Sequence, residues 1–198
     1  SSSTLDMVQY ETMTVSSAGA DGNVVTAKAD VLTGLTVTGS KNVTINLNPN
    51  VSTTALVLKT IDASAATGTV NVQASGADSG VTVTPGSDAL TVNLGDGADT
   101  VTGTAKADSL TTGKGNDTIV GNGGDDTVNA GAGDDKITLT GGVNDVTLGT
   151  GADTLTAGDG NNTVTNTSGN TTVTLGNGVN TVTNTAGNMT LVTGSAID

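Results

Sequence analysis

Residues 112–138 read TGKGNDTIV, GNGGDDTVN, AGAGDDKIT, three nine-residue units in one frame. The frame extends backward through GTAKADSLT to LGDGADTVT at residue 94. It extends forward through LTGGVNDVT, LGTGADTLT, AGDGNNTVT, NTSGNTTVT and LGNGVNTVT to NTAGNMTLV at residue 192, without an insertion or deletion. The eighth position is always aliphatic: Val101, Leu110, Ile119, Val128, Ile137, Val146, Leu155, Val164, Val173, Val182, Leu191. The fourth is glycine in every unit but the second, where Lys106 stands, and a residue without Cβ at a fixed place marks a turn with positive φ. Each unit therefore predicts a six-residue turn and a three-residue strand whose middle side chain points inward. Two units make one coil, so the same position recurs every 18 residues, about 4.8 Å higher in a parallel sheet. Val101, Ile119, Ile137, Leu155, Val173 and Leu191 stack along one side. Leu110, Val128, Val146, Val164 and Val182 stack along the other.

The sixth position bears the chemistry. One column holds Asp99, Asp117, Asp135 and Asp153, followed by Thr171 and Met189; the other holds Asp108 and Asp126, followed by Asn144, Asn162 and Asn180. Carboxylates about 5 Å apart repel by roughly 3 kcal/mol per neighbouring pair at an effective dielectric of 20. A hard cation between successive turns converts that repulsion into bridging. Calcium suits such a place because it accepts six to eight oxygens in flexible geometry, whereas magnesium holds to an octahedron and keeps waters. Zinc is disfavoured because the chain has neither His nor Cys. The Asn run has a different outlet, since stacked amides satisfy one another by hydrogen bonds. A metal-rich front and a largely metal-free rear are expected.

The pattern G-G-x-G-x-D-x-U-x, with U a large aliphatic residue, resembles the calcium signature of the repeats-in-toxin (RTX) family. The units at 112–138 match it most closely. The resemblance implies that Asp99, Asp108, Asp117, Asp126, Asp135 and Asp153 supply calcium carboxylates. It further implies carbonyl ligands from glycines such as Gly95, Gly97, Gly113, Gly115, Gly131, Gly133, Gly149 and Gly151. Lys106, in place of a turn glycine, departs from the pattern beside Asp108.

Working outward, residues 1–93 lack the strict period but keep the same material. Short alternating runs recur at Leu35–Thr38, Val43–Leu47, Val70–Val72, Val81–Val83 and Leu90–Leu94, separated by Gly, Ser, Asn, Asp and Pro. Val83 and Val92 already fall in phase with the later ladders. The expected architecture is all-β: a right-handed parallel β-roll over 94–192, two nonapeptides per coil, preceded over 1–93 by a less regular β-solenoid. Residues 193–198 are expected to be the tail of a fragment. Tyr10, the lone aromatic residue, is expected to pack against an early turn.

Composition narrows the function. The 198 residues carry a formal charge of −13 with no arginine, a surface that repels phosphate and argues against nucleic acid or anionic lipid. No apolar run is long enough for a membrane helix, and no cysteine is available for disulfide staples. The absence of His and Cys, and of G-x-S-x-G or a phosphate-binding P-loop, points away from an enzyme. The Thr, Val, Ala and Gly texture, with the segment MVQYETMTV, resembles the calcium-dependent surface-layer proteins of Gram-negative bacteria. That resemblance implies type I secretion, location at the cell surface and self-association into a lattice. An extender or adhesive module of an RTX adhesin or toxin is the alternative. Outward threonine pairs such as Thr100 and Thr102, or Thr154 and Thr156, also raise an ice-binding solenoid, although Val120, Lys136, Asn129 and Asp145 interrupt the rows. The plainer reading of each aspartate is a turn former bonded to its own backbone.

Overall fold

The computed structural model describes residues 2–6, 10–19, 22–29, 31–47 and 56–194. It is all-β, a solenoid of two ten-stranded parallel sheets between which the chain alternates. The odd sheet contains β1 (Ser2–Asp6), β3 (Asn23–Lys28), β5 (Val43–Leu47), β7 (Val70–Gln73), β9 (Leu90–Asn93), β11 (Ser109–Lys114), β13 (Thr127–Ala132), β15 (Asp145–Thr150), β17 (Thr163–Ser168) and β19 (Thr181–Asn184). The even sheet contains β2 (Thr12–Ser17), β4 (Gly34–Gly39), β6 (Thr60–Ala66), β8 (Thr82–Thr84), β10 (Thr100–Thr102), β12 (Thr118–Asn122), β14 (Lys136–Gly141), β16 (Thr154–Asp159), β18 (Thr171–Leu175) and β20 (Met189–Val192).

The aliphatic ladders set the register. In the odd sheet Leu110, Val128, Val146, Val164 and Val182 pair in succession. In the even sheet Val101, Ile119, Ile137, Leu155, Val173 and Leu191 do the same. Val83 and Val92 are the partners one coil earlier. From Val101 to Val173 the ladder residues are at most 1 % exposed; Leu191, on the last strand of its sheet, is 45 % exposed. All ten fourth-position glycines from Gly97 to Gly187 have positive φ. That conformation strains a residue with a Cβ, and the glycines recur because every coil turns at the same place.

Two expectations need correction. Apart from β10, the strands of the roll are longer than three residues, and from β11 to β18 they continue into the following unit's first position, which also faces inward. Thr112, Ala130, Leu148 and Asn166 lie buried in the odd sheet and Leu139, Ala157 and Leu175 in the even one. The physical reason is the period of two: if the eighth residue points in and the ninth out, the next must point in, provided the ladder continues. Tyr10, expected against an early turn, is instead 62 % exposed and lies outside the buried core of the described residues.

Earlier coils are longer. Val25, Ile45, Val72 and Val92 follow one another at 20, 27 and 20 residues before the spacing settles at 18. The extra residues turn Leu32, Leu56 and Leu58 inward, each fully buried.

Candidate metal centre

The same alternation that buries positions eight and one also buries position six. Asp99, Asp108, Asp117, Asp126, Asp135 and Asp153 are 1–3 % exposed, as are Asn144 and Asn162. They form two corners of the roll. The first precedes the even strands and carries Asp99, Asp117, Asp135, Asp153 and Thr171; the second precedes the odd strands and carries Asp108, Asp126, Asn144, Asn162 and Asn180.

One oxygen of each side chain does the same work throughout. Oδ1 of Asp117 accepts the backbone N–H of Asp99 at 2.7 Å, Asp135 that of Asp117 at 2.8 Å, and Asp153 that of Asp135 at 3.0 Å. On the second corner Oδ1 of Asp126, Asn144, Asn162 and Asn180 accepts from Asp108, Asp126, Asn144 and Asn162. Asp99 and Asp108 reach Val81 and Leu90 in the same way, each at 2.7 Å. Position six thus caps the backbone of the coil before it.

The second terminal atom separates the sites into three kinds. Oδ2 of Asp99, Asp117, Asp126, Asp135 and Asp153 is buried and has no hydrogen-bond partner. Oδ2 of Asp108 accepts from the Thr104 N–H at 2.6 Å and from the Thr104 hydroxyl at 3.2 Å, so the turn containing Lys106 closes on itself. Where asparagine stands, Nδ2 donates. Asn162 gives hydrogens to Gly158 O at 3.3 Å, Gly160 O at 3.1 Å and Asn180 Oδ1 at 3.1 Å. Asn144 reaches Gly141 O, Gly142 O and Asn162 Oδ1, and Asn180 reaches Gly176 O and Gly178 O.

The amide reveals what surrounds this position. Asn Nδ2 and Asp Oδ2 are isosteric, and the amide's hydrogens find a ring of oxygens: two carbonyls two to four residues earlier and Oδ1 one coil later. Around an aspartate the same place holds oxygens only, so electropositive charge must come from elsewhere. For Asp117, Asp135 and Asp153 the corresponding carbonyl residues are Gly113 and Gly115, Gly131 and Gly133, and Gly149 and Gly151. All six have positive φ, and a Cβ on Gly131, Gly133, Gly149 or Gly151 would collide with the carbonyl oxygen of the glycine one coil earlier. Gly95 and Gly97 bear the same relation to Asp99; Gly97 has φ 113°, and a Cβ on Gly95 would meet Ala77 O. No three acidic side chains converge at one point among the described residues. A cation at this place would draw on two side chains and backbone carbonyls, a mixed oxygen set that calcium accepts.

Electrostatics agree. Burial, opposed in part by the backbone hydrogen bond, pushes Asp99 and Asp135 up to about 7 and Asp126 up to about 6, with neighbouring carboxylates adding to the rise. Asp117 and Asp153 are raised for the same first reason.

Sequence reasoning passed over two contributors. Thr104 is invisible as a ligand competitor until the turn is built, although a hydroxyl four residues before Asp108, where Asp99, Asp117, Asp135 and Asp153 each have glycine, is its trace. Gly121 lies where a Cβ would run into Asp126 Oδ2, and its trace is a glycine at a first position otherwise filled mainly by Leu, Ala, Thr or Asn.

These features define a parallel β-solenoid with stacked, buried carboxylates at its corners. The RTX calcium-binding nonapeptide repeat model matches four overlapping stretches, 93–128, 102–137, 112–146 and 138–173. Residues 93–173 therefore carry RTX repeats, whose nonapeptides bind calcium. No curated protein and no solved structure matches the chain.

Proposed function

We propose that the chain is a calcium-dependent structural segment of a secreted bacterial surface-layer protein, not an enzyme. Residues 94–192 are its metal-stapled roll and 1–93 its irregular solenoid base. The carrying observation is the set of unpartnered, buried Oδ2 atoms. In this reading calcium bridges Asp99 to Asp117, Asp117 to Asp135 and Asp135 to Asp153, with carbonyls of the paired turn glycines completing each site. Asp126, followed by Asn144, supplies a site on the second corner. Asp108, already held by Thr104, belongs to the set only by its place in the column. Scarce calcium inside the cell leaves the roll unfolded for type I export, and millimolar calcium outside folds it. The composition and the rigid, repetitive coil favour a lattice element; the same coil would also serve as an extender in an adhesin.

Calcium added to the chelator-treated chain, followed by far-ultraviolet circular dichroism and light scattering, tests both readings. A cooperative gain of strand near millimolar calcium with rising scattering is expected. Constant scattering would favour the extender, and an unchanged, fully folded spectrum would overturn the metal-stapled roll.

A further inference from the structure

On the first corner the aspartate column stops at Asp153, yet the unsatisfied oxygens do not. Asp153 Oδ2 is buried without a partner, and one coil on, in the same column, the Thr171 hydroxyl is buried without one too. Asp153 is 1 % exposed and Thr171 2 %. The register is secure, because Thr172 pairs with Thr154 and Val173 with Leu155. The cradle also persists: Gly149 and Gly151 have φ 96° and 143°, against 103° and 134° at Gly131 and Gly133 one coil earlier. On the opposite corner the coils at the same level are closed by the amides of Asn144 and Asn162, which donate into their oxygen rings. Among the described residues nothing donates to Asp153 Oδ2 or to the Thr171 hydroxyl oxygen. A threonine that served only as strand surface would face outward, as Thr172 does; Thr171 faces in, and its own N–H is spent on Asn188 O at 2.8 Å.

We propose that the metal column continues one coil beyond its last aspartate, to a terminal calcium site formed by Asp153 Oδ2, the Thr171 hydroxyl and the carbonyl oxygens of Gly149 and Gly151. This rests on the calcium reading of the inner sites. With one carboxylate where those have two, the terminal site is the weakest of the first corner and the last to fill, since charge count tunes calcium affinity. It makes the end of that column sensitive to calcium concentrations at which the inner coils are already loaded.

The test is calorimetric titration of calcium chloride into the chelator-treated full chain, with a count of bound calcium at saturation, for wild type, Thr171→Val and Thr171→Asp. Valine keeps the shape and removes the oxygen. Thr171→Val is expected to lose one ion from the weakest class and leave the others unchanged. Thr171→Asp is expected to keep the count and tighten that class about tenfold. An unaltered count and unaltered affinities in Thr171→Val would overturn the site. If Thr171→Val loses strand signal in saturating calcium, Thr171→Asp decides alone: tightening supports the site and no change overturns it. A wild-type chain that binds no calcium would instead bring down the parent reading, and this one with it.

Discussion

The solenoid before residue 94 and the roll after it share two sheets and one ladder register, but they close their corners with opposite chemistry. On the second corner Val43, Val70 and Leu90 succeed one another in register, and the next residue in that column is Asp108, whose Oδ1 caps the Leu90 N–H. On the first corner Val81 gives way to Asp99 in the same manner. The early coils, with repeats of 20 to 27 residues, have chain to spare and bury Leu32, Leu56, Leu58 and Ala77 besides the ladders. An 18-residue coil has none to spare, so position six fills the corner alone. Filled by Val or Leu it is held by apolar burial. Filled by Asp it has, except at Asp108, a buried carboxylate oxygen that protein groups leave unpaired, and in the proposed reading such a coil depends on a cation.

The largest effect should come from removing calcium. Hydrogen exchange in chelator is expected to strip protection from the strands β10 to β18 while the strands β4 to β9 stay protected; uniform loss across both would erase the distinction. Next comes pH. Folded-state pKa values of Asp99, Asp126 and Asp135 lie above the ordinary 3.8, so without metal the folded roll holds protons more tightly than the unfolded chain. Its stability is therefore greatest below about pH 4 and is lost as pH rises toward about 7. With calcium the slope should reverse, because the ligands must be deprotonated. Melting curves at pH 4 to 8, with chelator and with calcium, read both slopes, and a chelated roll that gains stability with rising pH would contradict the burial of these carboxylates.

Smaller effects sharpen the contrast residue by residue. Ile137→Ala in the roll and Ile45→Ala in the solenoid each remove a fully buried side chain and should each cost about 2–5 kcal/mol in calcium. In chelator only Ile45→Ala should still register in the melting of the surviving part. Asn162→Ala removes an amide that donates to two carbonyls and a side chain. It is expected to cost about 1–3 kcal/mol in saturating calcium, as measured by denaturant unfolding. An unchanged unfolding midpoint would mean that the amide of Asn162 does not hold this corner closed.

The roll's repeat was legible because every unit has the same length, the eighth position is always aliphatic and the fourth is glycine in all units but one; the ladder from Val83 to Leu191 and the turn glycines follow from that alone. The irregular solenoid was legible only as strands. Its coil lengths depend on how far each connection wanders, and neither the 27-residue step from Ile45 to Val72 nor the burial of Leu56 and Leu58 has a local signal. Within the site the two columns could be read from spacing. The self-closed turn at Thr104 and Asp108 could not, because it depends on an N–H and a hydroxyl of Thr104 that meet the carboxylate only in the folded turn.

By itself the sequence determined periodicity: which residues share a column, which face inward at position eight, and that acid recurs every nine residues from Asp99 to Asp135 and again at Asp153, since a fixed repeat in a parallel solenoid translates directly into a fixed place in space. Only the tertiary structure decided which oxygens go without a partner. That outcome is set by the atoms one coil before and one coil after, 18 residues away, where an amide, a hydroxyl or a bare carboxylate leaves the same corner closed, half-open or in need of a cation.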